Sequence, residues 1–328
     1  MTGWFMPPGF RKGHHTDYQS FLMKFWNCSQ ELEFSDTIQK IKALTKGKGT
    51  FVSLDPDKSD LISIIWAAFL IKFFKLPLKI YGISVRSGEF MMPKRGVQSL
   101  MSKRGRFKYL KTRIKMGIFA WLNEIEGIKI YSIHLNAKHQ RVLGPYYSGF
   151  IRDFQYYDLP YLSKETTMPI ELKNSSFPVK EALLVFLGSN TERRNWEELK
   201  MFANQSDRST PIIIVGSGAK NASEWPRTCV INRYVAQEEL FWLMKESGLV
   251  YTYYSNQAPS GFFGRATHLE KWVVVKRGGY LSEEEYPKTI VVDRLQELES
   301  YQFPITPPEL TTWHRQMLDP RFQLPSPC

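Results

Sequence analysis

Apolar residues fall into short runs, and between these runs they recur every three or four positions, which is the pattern of strands alternating with helices. In the first half, residues 4–6, 50–54, 79–85 and 128–133 read as strands, and residues 16–26, 59–74 and a basic segment at 107–126 read as helices. Alternation at this spacing predicts a parallel sheet covered by helices. Residues 162–178 carry Ser, Thr, Asn and two prolines with little periodicity and read as a linker. A second series follows, with strands at 182–187, 211–215, 228–231, 248–254, 273–275 and 289–292 and helices at 194–203, 238–246 and 264–271. The tail at 307–328 holds a helix over 308–317. The expected fold is α/β, with two Rossmann-like doubly wound domains at 1–165 and 176–305, and a C-terminal helix and tail at 306–328.

Composition agrees with this picture. The chain has 328 residues, 43% apolar and 14% aromatic, which excludes disordered, collagen-like and coiled-coil classes and is long enough for two cores. Cys28, Cys229 and Cys328 have no metal-ligand or disulfide-framework spacing, and the expected setting is a reducing cytoplasm. The N-terminus has no basic region followed by an apolar core, so no secretory signal is expected. The longest apolar run, 61–74, is interrupted by Lys72 and is shorter than the ~20 residues of a bilayer span.

Ligands of doubly wound sheets bind beyond the carboxyl ends of the strands, so the loops there are the first candidates for a site. Gly188 and Ser189 follow a strand, and Arg193 and Arg194 precede a helix; free N–H groups and guanidinium charge suit a diphosphate, while a tight turn with two solvated arginines is the alternative. Ser260 and Gly261 precede a helix carrying Arg265, His268 and Glu270, where a phosphate is favoured; an N-cap for Ser260 and an end-of-helix charge for Glu270 are the plain alternatives. Asp55 and Asp57 form an Asp-x-Asp pair that could hold a divalent metal, or a turn with a helix cap. The turn reading is preferred, and no metal ligand or cofactor is assigned.

Val185-Phe186-Leu187-Gly188, Arg193 to Leu199, Ile213 to Gly216, Arg233-Tyr234-Val235 with Glu238-Glu239-Leu240, Tyr253 to Lys271, and Lys276 to Tyr280 follow one another along the second half. In order and spacing they resemble the C-terminal domain of family-4 GT-B glycosyltransferases. The resemblance implies two domains facing a cleft, with the C-terminal helix crossing back to the first domain. It further implies a nucleotide-sugar donor on the second domain, a glycan or lipid-linked acceptor on the first, and transfer with retention of configuration. Arg193 or Arg194, with Lys200 as second choice, would neutralise the leaving diphosphate. Gly188, Ser189, Gly216, Ser260, Gly261 and Arg265 would lie at the donor's phosphates or sugar, Glu270 at its ribose, and Tyr234 and Val235 beside its base. Two features depart from the family pattern. The first of its two glutamates falls on Phe262, and Lys271-Trp272-Val273-Val274 replaces the usual Gly-x-Pro-Val.

The first half resembles the family less. Gly13, His14 and His15 sit where the first strand hands over to the first helix, a place where such enzymes carry a glycine loop, and either histidine is a catalytic candidate or an exposed turn residue. Arg86 and His134, each just after a strand, are further acceptor or cleft candidates.

The 44 Lys and Arg against 32 Asp and Glu give a formal charge of +12. Residues 94–115 concentrate it: Lys94, Arg95, Lys103, Arg104, Arg106, Lys108, Lys111, Arg113 and Lys115, interleaved with apolar residues and free of acids. That composition fits contact with an anionic membrane at its cytoplasmic face, a solvated helix face, or nucleic acid. Nucleic acid is the less expected partner. A basic nucleic-acid-binding protein and an inactive GT-B-like scaffold stand as the competing functions.

Overall fold

The computed structural model describes residues 3–6, 30–31, 41, 44–45, 49–53, 60–84, 103–132, 165–186, 194–205, 209–255, 260–283 and 286–301. The chain divides into two compact units and passes from the first to the second between Tyr161 and Leu162.

In the first unit, strands β1 (Gly3–Met6), β2 (Gln30–Glu31), β3 (Gly49–Ser53), β4 (Leu78–Ser84) and β5 (Ile128–Ser132) form one sheet in the order β2-β1-β3-β4-β5. Every pairing in it is parallel. Helix α1 (Leu61–Phe74) joins β3 to β4, and α2 (Lys103–Asn123) lies between β4 and β5. Their inner sides, including Ile64, Ala67, Ala68, Phe119 and Leu122, bury Phe51, Leu78, Ile80, Ile128 and Ile130 of the sheet. At the open edge of the sheet the Asn123 amide takes the place of a further strand. It accepts from the Ile130 N–H at 2.7 Å and donates to the Ile130 carbonyl at 3.4 Å.

In the second unit, a short helix α3 (Ile170–Lys173) lies in the stretch expected to be a linker. Strands β6 (Leu183–Phe186), β7 (Ile212–Val215), β8 (Thr228–Ile231), β9 (Leu249–Tyr251), β10 (Trp272–Lys276) and β11 (Thr289–Val292) form the second sheet, with helices α4 (Trp196–Ala203), α5 (Gln237–Glu246) and α6 (Gly261–His268) between them. The order is β11-β10-β9-β6-β7-β8, all parallel. Counted from β6, this is the 3-2-1-4-5-6 arrangement of the Rossmann fold, while the first sheet has the 2-1-3-4-5 order of the flavodoxin type. Parallel strands are covered on both faces, which is why β6, β7 and β10 are near-continuous runs of Leu, Val and Ile.

Most expected elements lie within a few residues of their predicted bounds, and two differ in a way that matters. Strand β9 ends at Tyr251, three residues before the expected 254, because the Tyr254 N–H turns back to the Thr252 carbonyl. Helix α6 begins at Gly261 and not at 264, because the Ser260 hydroxyl caps it by accepting from the Phe263 N–H. The expected helices at 16–26 and 308–317 lie outside the described residues. No described helix is long and apolar enough to cross a membrane.

Candidate functional site

A doubly wound sheet opens a crevice where its strand order reverses, at the carboxyl ends of the two strands that flank the reversal. In the second sheet those strands are β6, which ends at Phe186, and β9, which ends at Tyr251. The Arg194 guanidinium stands at this point. Its carbon is 5.6 Å from the centroid of Phe186, 5.4 Å from that of Tyr254 and 5.8 Å from that of Phe262 in the first turn of α6. Phe186 and Phe262 are themselves stacked, with centroids 4.4 Å apart. Rings around a guanidinium favour its charge and fix its plane.

The main chain of Arg194 is fixed as well. Its carbonyl accepts the hydroxyl hydrogen of Tyr251. Asn195 adopts the left-handed conformation at φ 51°, and its side-chain amide donates to the Tyr253 carbonyl at 2.9 Å. Yet Nη1 of Arg194 is enclosed and has no hydrogen-bond partner among the described residues. An enclosed charged donor without an acceptor bears its full desolvation penalty.

A polar cluster braces the same edge. Glu198 on α4 accepts the Tyr253 hydroxyl at 2.5 Å and the Leu295 N–H at 3.3 Å through one oxygen, and Lys276 at 3.2 Å through the other. The Tyr253 hydroxyl also faces the Asp293 carbonyl at 2.5 Å. The ends of β9, β10 and β11 are thereby tied to α4. Burial, then the bond to Glu198, pushes the Tyr253 hydroxyl well above the ordinary range of a phenol, and it stays protonated. Tyr251, buried within the sheet, is raised in the same direction by desolvation.

The other described site residues are spread over the second unit. Ser260 and Gly261 stand at the start of α6, beside Phe262, and so at the crevice. Gly216 ends β7 at φ 128°, with its N–H bonded to the Ile231 carbonyl. Tyr234, beyond β8, is 80% exposed, whereas Val235 is buried. Lys200 is exposed on α4. Arg265 is buried, with its guanidinium carbon 6.0 Å from the Phe241 centroid.

Glu270 is placed elsewhere. Lys271 donates to the Ala266 carbonyl and Glu270 to that of Thr267, closing α6 with Glu270 left-handed at φ 53°. The next residues enter β10, whose first residue Trp272 pairs with Leu249 at the start of β9. Glu270 therefore lies at the amino edge of the sheet, opposite the crevice, where its carboxylate is 3.6 Å from Lys288. The residue expected at the donor ribose thus stands at the opposite end of the sheet from Arg194. The reason is the earlier start of α6, which carries position 270 past the end of the helix.

Gly13, His14, His15, Asp55, Asp57, Arg86, His134, Gly188, Ser189 and Arg193 lie outside the described residues. Of the residues that build the crevice, Phe186, Tyr251, Tyr254, Phe262 and Asn195 have no role in the expected site. Each reads in sequence as a core residue or a turn, whereas Arg194, Ser260 and Gly261 carry signals there as a charge and a helix start after a strand.

Arg233 forms a separate clamp. It meets Glu171 of α3 at 2.8 and 2.9 Å and Glu239 of α5 at 2.8 and 2.7 Å. Both carboxylates are held below their ordinary range, chiefly by these bonds.

No protein-family model matches the sequence, and neither does any curated protein. Solved structures do match in fold. HepE of Anabaena, solved with UDP and glucose, has a TM-score of 0.55 at 12% identity, over 92% of this chain and 88% of its own. The UDP-forming trehalose-phosphate synthase of Burkholderia xenovorans, solved with glucose-6-phosphate, has a TM-score of 0.50 at 9% identity, over 94% of this chain and 74% of its own. These likenesses establish the GT-B fold for this chain.

Proposed function

We propose that this protein is a hexosyltransferase that moves a sugar from a nucleotide-sugar donor to a glycan or lipid-linked acceptor, with retention of configuration and without a metal. One observation carries the reading: the enclosed Nη1 of Arg194, without a hydrogen-bond partner among the described residues, at the strand reversal of the second sheet. Departure of a nucleoside diphosphate develops negative charge, and a preorganised guanidinium beside a helix N-terminus stabilises that charge in the transition state. In this reading Arg194 binds the diphosphate, Ser260 and Gly261 place α6 against it, and Tyr234 flanks the base. Arg193, His14 and His15 keep the roles that the family resemblance implies. The acceptor is met at an anionic cytoplasmic membrane face through residues 94–115.

The test is a thermal-shift screen of nucleoside diphosphates and sugar nucleotides, with UDP first because HepE was solved with it. A ligand at a hundred times its Kd stabilises the fold by about 2.7 kcal/mol. The expected result is a shift with one nucleotide that Arg194→Ala abolishes. No shift with any nucleotide, together with salt-sensitive binding of nucleic acid, transfers the reading to a nucleic-acid-binding protein.

A further inference from the structure

The outward side of α1 is apolar along its length. Ile62, Trp66, Phe69 and Phe73 recur at intervals of four, three and four, which places them on one stripe. Ile62 and Phe73 are each 64% exposed, and the adjoining Phe74 63%. Phe69 links the rings into a row, its centroid 5.6 Å from Trp66, 4.7 Å from Phe73 and 5.8 Å from Phe74. The opposite side is already spent on the core. A helix that is apolar all round is covered by something, and a continuous apolar patch at a surface marks a binding face.

The neighbouring helix repeats the arrangement. α2 exposes Phe107, Leu110 and Ile114, again at stripe spacing, next to exposed Arg106 and Lys111. Successive right-handed crossovers from β3 to β4 to β5 put α1 and α2 on one face of the sheet, and the Lys72 ammonium lies 6.0 Å from the Trp121 centroid.

Charge identifies the occupant. From 61 to 84 the only charged residues are Lys72, Lys75 and Lys79, and α2 contains Lys and Arg but no acid. Those three lysines line a groove of about 570 Å³ at the end of the α1 stripe, together with Trp121, Glu124 and Glu126. Aromatic rings edged by cations on long stems match the layered chemistry of an anionic bilayer, where rings settle at the acyl boundary and ammonium groups meet phosphates.

We propose that the outward faces of α1 and α2 dock the protein on an anionic lipid surface, with the aromatic stripe of α1 entering at headgroup depth. This assigns the apolar contact to α1, outside the basic stretch read from sequence, and it stands independently of the donor site.

The experiment is flotation of the full chain with equimolar phosphatidylglycerol and phosphatidylcholine vesicles, and with phosphatidylcholine alone. Binding is expected on the anionic vesicles at low salt, weaker by about tenfold or more on the neutral ones. The triple variant Ile62→Ser, Phe73→Ser, Phe74→Ser is expected to lose a comparable factor while melting as the parent does. Quenching of tryptophan fluorescence by brominated acyl chains, reduced in Trp66→Phe, reports insertion without the triple variant. Undiminished binding by the triple variant, no binding to either vesicle, or a parent dimer that the variant abolishes each overturns the proposal. The nucleotide-induced thermal shift is read separately and does not bear on it.

Discussion

The hydroxyl of Tyr251 donates its hydrogen to the carbonyl of Arg194, a residue 57 positions earlier, so a strand at the centre of the second sheet holds the main chain of the residue whose guanidinium occupies the crevice. The bond acts on the position of Arg194 and leaves its charge alone. Tyr251→Phe removes the bond and little volume, and should cost about 1–2 kcal/mol of stability. It should also weaken the nucleotide-induced shift, because the guanidinium loses its fixed approach. Calorimetry of parent and variant with and without nucleotide checks both. An unchanged nucleotide Kd would show that the bond serves only the fold.

Glu270 allows a sharper separation. At φ 53° it occupies a position that glycine fills without steric cost, and its contact with Lys288 is solvent-exposed. Glu270→Gly should stabilise the fold by roughly 0.5–1 kcal/mol and leave nucleotide binding intact. Loss of nucleotide binding in this variant would return Glu270 to the donor site.

This position also shows how much the sequence discloses. The apolar runs of β6, β7 and β10 were legible because a strand buried on both faces must be apolar throughout. Arg194 was legible as a charge after a strand and before a helix. Its surroundings were not, since Phe186, Tyr254 and Phe262 look like core residues until the order of the strands is known. Alternation predicts parallel pairing, but it does not reveal that β6 lies between β7 and β9. The place of Glu270 follows from a three-residue offset in the start of α6, which on a helix so short exchanges a place on its surface for a place beyond its end.

Tyr253 predicts an alkaline limit. Its folded-state pKa lies above the ordinary 10.0, so its contribution is fully present below pH 10 and is lost as the pH rises further and the unfolded chain ionises first. Stability should fall above pH 10, and Tyr253→Phe should flatten part of that slope while lowering stability at neutral pH. Denaturant titrations at stepped pH measure both effects.

The Arg233 clamp predicts the acid limit. Glu171 and Glu239 have folded-state values below the ordinary 4.5, so their contribution is present above pH 4.5 and is lost as the pH falls through the lowered values. Arg233→Ala leaves two part-buried carboxylates facing each other and should cost about 1–3 kcal/mol at pH 7, discounted at high salt by screening. Its stability should be less sensitive to acid than that of the parent. A parallel loss in both proteins below pH 4.5 would place the acid sensitivity elsewhere.

The crevice is flanked by β6 and β9, adjacent in the sheet yet joined through β7, β8 and α5, with the pairing Leu183↔Leu249 as its first link. Such a contact closes a long loop, and its entropy must be met before the contact forms. The ring of residues around Arg194 is thus absent from any growing chain that stops short of Phe262, however well its earlier strands are formed. The crevice around Arg194 thus marks a chain in which β6, β9 and the start of α6 have already come together, a later event than the forming of any one of its strands.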